Sequence, residues 1–98
     1  MAAAATLAAV IGQLVLAGGP RGHAPVPARG WPIRVEQAGR VRASLRTGAR
    51  GGFRLSLPAG SYELVAQQPF APHHDCAART LVLRRGADVH VQLSCAIK

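Results

Sequence analysis

Short runs in which apolar and polar residues alternate fill the chain from Trp31 to its end. Alternation with a period of two is typical of strands that bury one face. Six runs supply apolar positions, and these are Ile33 and Val35; Val41, Ala43 and Leu45; Phe53, Leu55 and Leu57; Tyr62, Leu64 and Ala66; Leu81 and Leu83; and Val89, Val91, Leu93 and Cys95. Six short strands without a helical pattern predict a small antiparallel β-sandwich over residues 31–98.

Glycine and proline mark the turns between these runs. Three turns are expected at Gln37-Ala38-Gly39, Gly48–Gly52 and Arg85-Gly86. Pro58 fixes φ for the first central position of a fourth turn, and Gly60 supplies a residue that tolerates positive φ. The stretch Pro69–Ala78 lacks alternation, so we expect an irregular loop there. The glycine turn at 48–52 predicts that the strands on its two sides are hairpin neighbours.

The N-terminus differs from the rest of the chain in having no charge. Residues 1–17 are apolar, and the apolar core is short for a membrane span of roughly 20 residues. A small residue at Ala17 fits cleavage, so we predict a helical signal peptide over residues 1–17, with an uncleaved N-terminal anchor as the alternative. Because no Lys or Arg precedes Arg21, we expect the true start codon to lie upstream. Residues 18–30, with three prolines and four glycines, are predicted to form a linker.

Two cysteines near the C-terminus, Cys76 and Cys95, suit an exported chain with a small core. Cys95 is in phase with the apolar positions of the last run. A disulfide between them would close a loop of about 20 residues and contribute roughly 3 kcal/mol to the free energy of unfolding. The alternative is a pair of buried free thiols in a reducing compartment.

One motif points to a known family. Gly52-Phe53 is followed by Leu57-Pro58-Ala59-Gly60-Ser61-Tyr62 and Leu64. This order resembles the G-x-F-x-x-x-L-P-x-G-x-Y core of carboxypeptidase regulatory-like domains, and the later Cys76 and Cys95 resemble small exported bacterial members. The resemblance implies a transthyretin-like (prealbumin-like) sandwich that serves as a non-catalytic accessory module. The turn before the phenylalanine commonly carries aspartates in that family, whereas this chain has Gly48-Ala49-Arg50-Gly51, so a role for those aspartates does not transfer.

Catalysis and cofactors find little support in the residues. The reactive side chains cluster only at His73-His74-Asp75-Cys76, where neighbours in sequence rarely point at one metal ion. No nucleophile context, carboxylate pair or phosphate-binding glycine loop is evident. We therefore expect no enzyme activity, no cofactor and no metal, and keep a metal site at His73 and His74 as a remote alternative.

The net charge of +8, with 11 arginines among 12 basic residues, raises the question of an anionic partner. Arg42, Arg46 and Arg54 share the outward phase of two strands that we expect to pair, which would make one cationic patch. Codon bias in a GC-rich genome is the competing explanation for so many arginines. With four aromatic residues in the chain, base stacking and sequence-specific nucleic-acid binding are not expected.

Together these observations predict a secreted structural or interaction module of the cell envelope, clipped by one disulfide. The alternative is a binding protein for an anionic envelope polymer or carbohydrate that uses Arg42, Arg46 and Arg54. A surface protein is a further candidate partner, and no transmembrane span is expected after processing.

Overall fold

In the computed structural model, which describes residues 7–18, 25–69 and 71–97, the regular elements are all β-strands. The strands are β1 Ala8–Gly18, β2 Val26–Pro27, β3 Pro32–Gln37, β4 Arg40–Arg46, β5 Gly52–Leu57, β6 Gly60–Gln68, β7 Ala71–Leu83 and β8 Asp88–Ile97. The all-β class that the alternation predicts is therefore confirmed.

The strands form two packed sheets. In sheet I, β8 lies along one edge of β1, while β5 and β2 share the other edge at different heights. Sheet II has the order β4-β3-β6-β7. Every pair in the described residues is antiparallel except β1–β8, which is parallel. The first and last strands of the sandwich are thus neighbours.

Strand β1 lies where a signal-peptide helix is predicted, so the helix is wrong for residues 8–18, while cleavage of residues 1–17 stays a prediction. Ala8, Val10 and Leu14 are fully buried in the core, and β1 is paired along both edges. An uncharged apolar run without clear alternation fits a buried strand as well as a helix, so the sequence alone does not separate the two. Among the described residues, no helix is long and apolar enough to cross a membrane.

The core lies between the sheets. Its members from the predicted alternation include Phe53, Leu57, Tyr62, Leu64, Val91 and Leu93, all buried, and Leu55 packs against them while partly exposed. The predicted turn after β5 is also present. The Tyr62 hydroxyl donates a hydrogen bond to the Pro58 carbonyl at 2.8 Å, and Gly60 has a φ of 155°, which favours glycine.

Two local predictions need correction. Residues 71–78, expected in a loop, belong to the long strand β7, which pairs with β6 through register shifts beside Gln67. These irregularities remove the alternation that would have marked a strand. Val41 is exposed instead of buried, because Val35 pairs with Ala43 but Glu36 pairs with Val41. The extra residue, Arg42, makes a β-bulge that moves Val41 to the outward phase.

Close packing fixes β1 against β5. Gly12 lies opposite Phe53, and a Cβ atom at Gly12 would lie 2.1 Å from Cζ of the Phe53 ring. The ring therefore covers the backbone of β1 at a point where only glycine leaves room.

Replacing Gly12 by alanine is expected to lower the free energy of unfolding by about 1–3 kcal/mol, because the Phe53 ring must leave its position. Urea denaturation of the oxidised protein measures the change. The matched control is Gly48→Ala, whose Cβ would meet only the Gly52 carbonyl oxygen at 3.7 Å. Equal effects of the two substitutions would show that Phe53 does not pack on Gly12.

Candidate functional site

The predicted disulfide joins the two sheets. Cys76 lies on β7 of sheet II and Cys95 on β8 of sheet I, with their Cα atoms 5.1 Å apart. Cys95 is fully buried in the core, in the phase that the alternation of the last strand predicts. The bond therefore ties an edge strand of each sheet to the other, at the side of the sandwich where no backbone hydrogen bonds connect β7 and β8 in the described residues.

The three arginines predicted to form one patch lie on different sheets. Arg42 and Arg46 are on β4, which pairs with β3 in sheet II. Arg54 is on β5, which pairs with β1 in sheet I. The strands flanking Gly48–Gly52 are thus consecutive but do not form a hairpin, and the prediction of a shared sheet face is wrong.

A buried threonine explains why the chain changes sheets at this point. Thr47 follows β4, and its hydroxyl accepts a hydrogen bond from the Trp31 backbone N–H at 2.9 Å and donates one to the Ala28 carbonyl. The Thr47 N–H also donates to the Trp31 carbonyl at 2.9 Å. These bonds hold the end of β4 against the segment that leads into β3, so the following residues pass to the other sheet.

Glycine completes the crossing. Gly51 has a φ of 76°, and its carbonyl accepts a hydrogen bond from the Leu14 N–H at 2.8 Å. A Cβ atom at Gly51 would lie 2.3 Å from the Leu14 carbonyl oxygen, so the close approach to β1 requires glycine. The crossing places Arg50 beside the start of β5.

The outer face of sheet II carries an ion-pair network. Arg34 on β3 contacts Glu36 on the same strand and Asp75 on β7, the latter at 3.2 Å. The hydrogen bond to Glu36, with that to Asp75, raises the pKa of the Arg34 guanidinium despite partial burial. Glu36 is therefore engaged with Arg34, although Glu63 lies directly opposite it on β6.

A groove runs across the outer face of sheet I. It encloses about 480 Å³, and we call it the sheet I groove; its lining is Ile11, Gly12, Gln13, Arg50, Gly52, His90, Val91 and Gln92. Two cross-strand rows define it. Gly52, Gln13 and Gln92 form one row, and Ile11 and His90 belong to the next, in which Arg54 lies opposite Ile11 at the margin of the groove. The Gln13 side-chain amide also donates a hydrogen bond to the Arg50 carbonyl at 3.3 Å.

The sequence predictions include Arg54, which lies opposite Ile11 beside this groove, but miss the residues that line it. Its floor is β1, where the sequence pattern predicts a signal peptide, so Gln13 has no predicted place in the folded domain. Gln13 is itself the signal that could have revealed it, because a single polar residue in an apolar run marks the outward face of a strand.

Metal binding has no geometric support in the described part of the chain, where no group of three or more His, Cys, Asp or Glu residues could hold an ion. The side chains of His73 and His74, named as remote metal ligands, lie outside what the structure describes. Cys76 is in the disulfide.

Comparison with known proteins shows the fold class. No protein-family model and no curated protein matches the chain. Among solved structures, GBS52, the minor pilin of the gram-positive pathogen Streptococcus agalactiae, matches with a TM-score of 0.72 at 16% identity over 96% of this chain and 46% of that one. A DUF3823 family protein from Parabacteroides merdae matches with a TM-score of 0.65 at 20% identity, over 94% and 47%.

The Bacillus anthracis TIE protein matches with a TM-score of 0.66 at 17% identity, over 93% of this chain and 16% of that one. The chain thus spans less than half the length of each of these structures. At such identities the likeness concerns the fold. The protein is a small all-β sandwich domain with an inter-sheet disulfide, similar to domains found within these larger bacterial proteins.

Replacing both cysteines, as Cys76→Ala with Cys95→Ala, is expected to lower the free energy of unfolding by about 3 kcal/mol, because the unfolded chain is no longer constrained by the loop. Urea denaturation measures it. The wild-type protein under reductant is the matched control and should lose a similar amount. Unfolding at the same urea concentration with and without reductant would contradict a structural role for the bond.

Proposed function

We propose that the chain is a secreted, non-catalytic structural or interaction module of a bacterial cell envelope. The observation that carries this proposal is the Cys76–Cys95 disulfide, with Cys95 fully buried in the core. Structural disulfides form and persist in oxidising compartments and are rare in the cytosol. In a domain of this size, the bond supplies stability that a small core alone does not.

The solved structures support the same setting. One of the similar proteins is a minor pilin by its own description, and the fold of this chain covers nearly half of it. The motif that resembles carboxypeptidase regulatory-like domains also has a structural meaning here, because Phe53, Leu57 and Tyr62 are buried around the β5–β6 turn. Membership of that family is part of the proposal.

A non-catalytic role fits the arrangement of the polar residues. The carboxylates of Glu36 and Glu63 lie on neighbouring strands, but Glu36 is engaged with Arg34. The serines at 44, 56, 61 and 94 are exposed on strands. The domain offers open grooves and sheet faces, which suit contact with a partner.

The alternative function is binding of an anionic envelope polymer through Arg42, Arg46 and Arg54. It is less well supported, because these arginines do not form a single patch. Arg54 faces away from the other two on a separate sheet. A polymer would have to contact two faces of the sandwich at once.

The location can be tested by thiol labelling. When the producing bacterium is fractionated, we expect the protein in the extracytoplasmic fraction. Its cysteines should not react with a maleimide-polyethylene glycol until a reductant is added. Protein expressed in the cytoplasm without export is the control and should react at two thiols once denatured. The proposal would be refuted if the protein isolated from the producing bacterium were cytoplasmic and, once denatured without reductant, reacted at two thiols.

The N-terminus of the exported product gives a second test. Removal of residues 1–17 would take away β1 and with it the buried Val10 and Leu14. We therefore expect the intact mass of the folded product to include residues 8–18. A mature N-terminus at Gly18, in a stably folded protein, would show that the sandwich forms without β1.

A further inference from the structure

We propose that the sheet I groove binds an acidic carbohydrate, with Arg50 and Arg54 recognising the carboxylate of a uronic acid unit. This inference rests on the proposed envelope location, which would bring the domain into contact with such polymers. It assigns binding to a site different from the patch that the sequence suggests, since it retains Arg54 and excludes Arg42 and Arg46.

The shape of the groove comes from an absent side chain. On the outer face of β5, Gly52 occupies the position before Arg54 in the same phase, and the row across it continues through Gln13 and Gln92. A Cβ atom at Gly52 would meet nothing nearer than the Gly12 carbonyl oxygen at 3.9 Å, so the space above it is open. A ligand can therefore approach the backbone of the sheet at this point.

The lining combines groups that suit a sugar ring. Ile11 gives a partly exposed apolar surface between Arg54 and His90, which register places on the two neighbouring strands. Adjacent strands are roughly 4.8 Å apart, so the Cα atoms of Arg54 and His90 lie about 10 Å apart. The space between their side chains is wide enough for a pyranose ring. The amides of Gln13 and Gln92 offer donors and acceptors for hydroxyl groups.

Positive charge at this face suits an anion. The strands of sheet II are basic too, with five arginines against Glu36, Glu63 and Asp75, so charge permits binding at the groove without singling it out. Sheet I carries Asp88, at the start of β8, against Arg54 on β5 and Arg50 in the groove lining. Arginine pairs with a carboxylate through parallel hydrogen bonds, which adds geometric selection to the attraction.

The loop holding Arg50 is fixed before any ligand binds. The Gly48 N–H donates to the Gly52 carbonyl at 2.8 Å, and the Gly51 N–H donates to the Gly48 carbonyl at 3.0 Å. The hydrogen bond from Gln13 to the Arg50 carbonyl connects this loop to β1. Little ordering of the backbone would be needed on binding.

The test measures binding of galacturonate oligosaccharides to the purified, oxidised full chain by calorimetry, with neutral galactose oligosaccharides of equal length for comparison. We expect binding to the acidic series alone. Arg50→Ser with Arg54→Ser should weaken it at least about tenfold, because the charge-assisted hydrogen bonds to the carboxylate are lost. The matched control, Arg42→Ser with Arg46→Ser, removes the same charge from sheet II and should change affinity by less than about twofold.

A neutral variant separates the groove from general charge. Gly52→Val fills the space without altering charge, and the open surroundings of Gly52 predict that the fold survives, which a thermal melt confirms. Loss of binding in this variant supports the site. The proposal is overturned if both arginine pairs weaken binding equally, if neutral sugars bind as well, or if Gly52→Val binds normally. Because the purified protein is used, a cytoplasmic location would refute the envelope role and leave this result standing.

Discussion

The fold depends on the insertion of β1 between β5 and β8. Backbone N–H and C=O groups must find partners when they are buried, and β1 supplies them to both neighbours along most of its length. It also places Val10 and Leu14 in the core, and the Phe53 ring packs against the backbone of β1 at Gly12. Without this strand, sheet I would consist of strands that have no common neighbour, so every other feature of that sheet follows from β1.

The disulfide extends the same constraint to sheet II. Cys95 pairs in register with Leu16 of β1, and its bond to Cys76 reaches the far edge strand of the other sheet. The C-terminal ends of the first and last strands and the two sheets therefore meet in one region. Parallel pairing of β1 with β8 joins residues about 80 positions apart in sequence, and contacts of such separation form late, because loop closure must come first. A covalent link near that region lowers the entropy of the open chain.

Sequence patterns predicted most of the strands but few of their neighbours. Alternation located β3 to β6 and β8, since each buries one face and leaves the other in water. It also located the end of β7 at Leu81 and Leu83, but it failed for residues 71–78 of β7, where register shifts break the period, and for β1, which is apolar apart from Gln13. Sheet assignment failed at Thr47, because a turn rich in glycine suits a hairpin and a crossing equally. The buried hydrogen bonds to Trp31 and Ala28 decide between them, and those partners lie far from Thr47 in sequence.

The same physical ambiguity explains why the candidate groove was hidden. A segment free of charge is what a membrane-directed helix needs, and it is also what a strand paired along both edges allows. The two cases differ in what Gln13, the one polar residue between Ala8 and Gly18, contributes to the structure. In an apolar helix it carries only a cost. In β1 it is exposed, hydrogen-bonds to the loop at Arg50 and lies beside Gly52, so the strand gives a physical reason for a residue that the helix leaves unexplained.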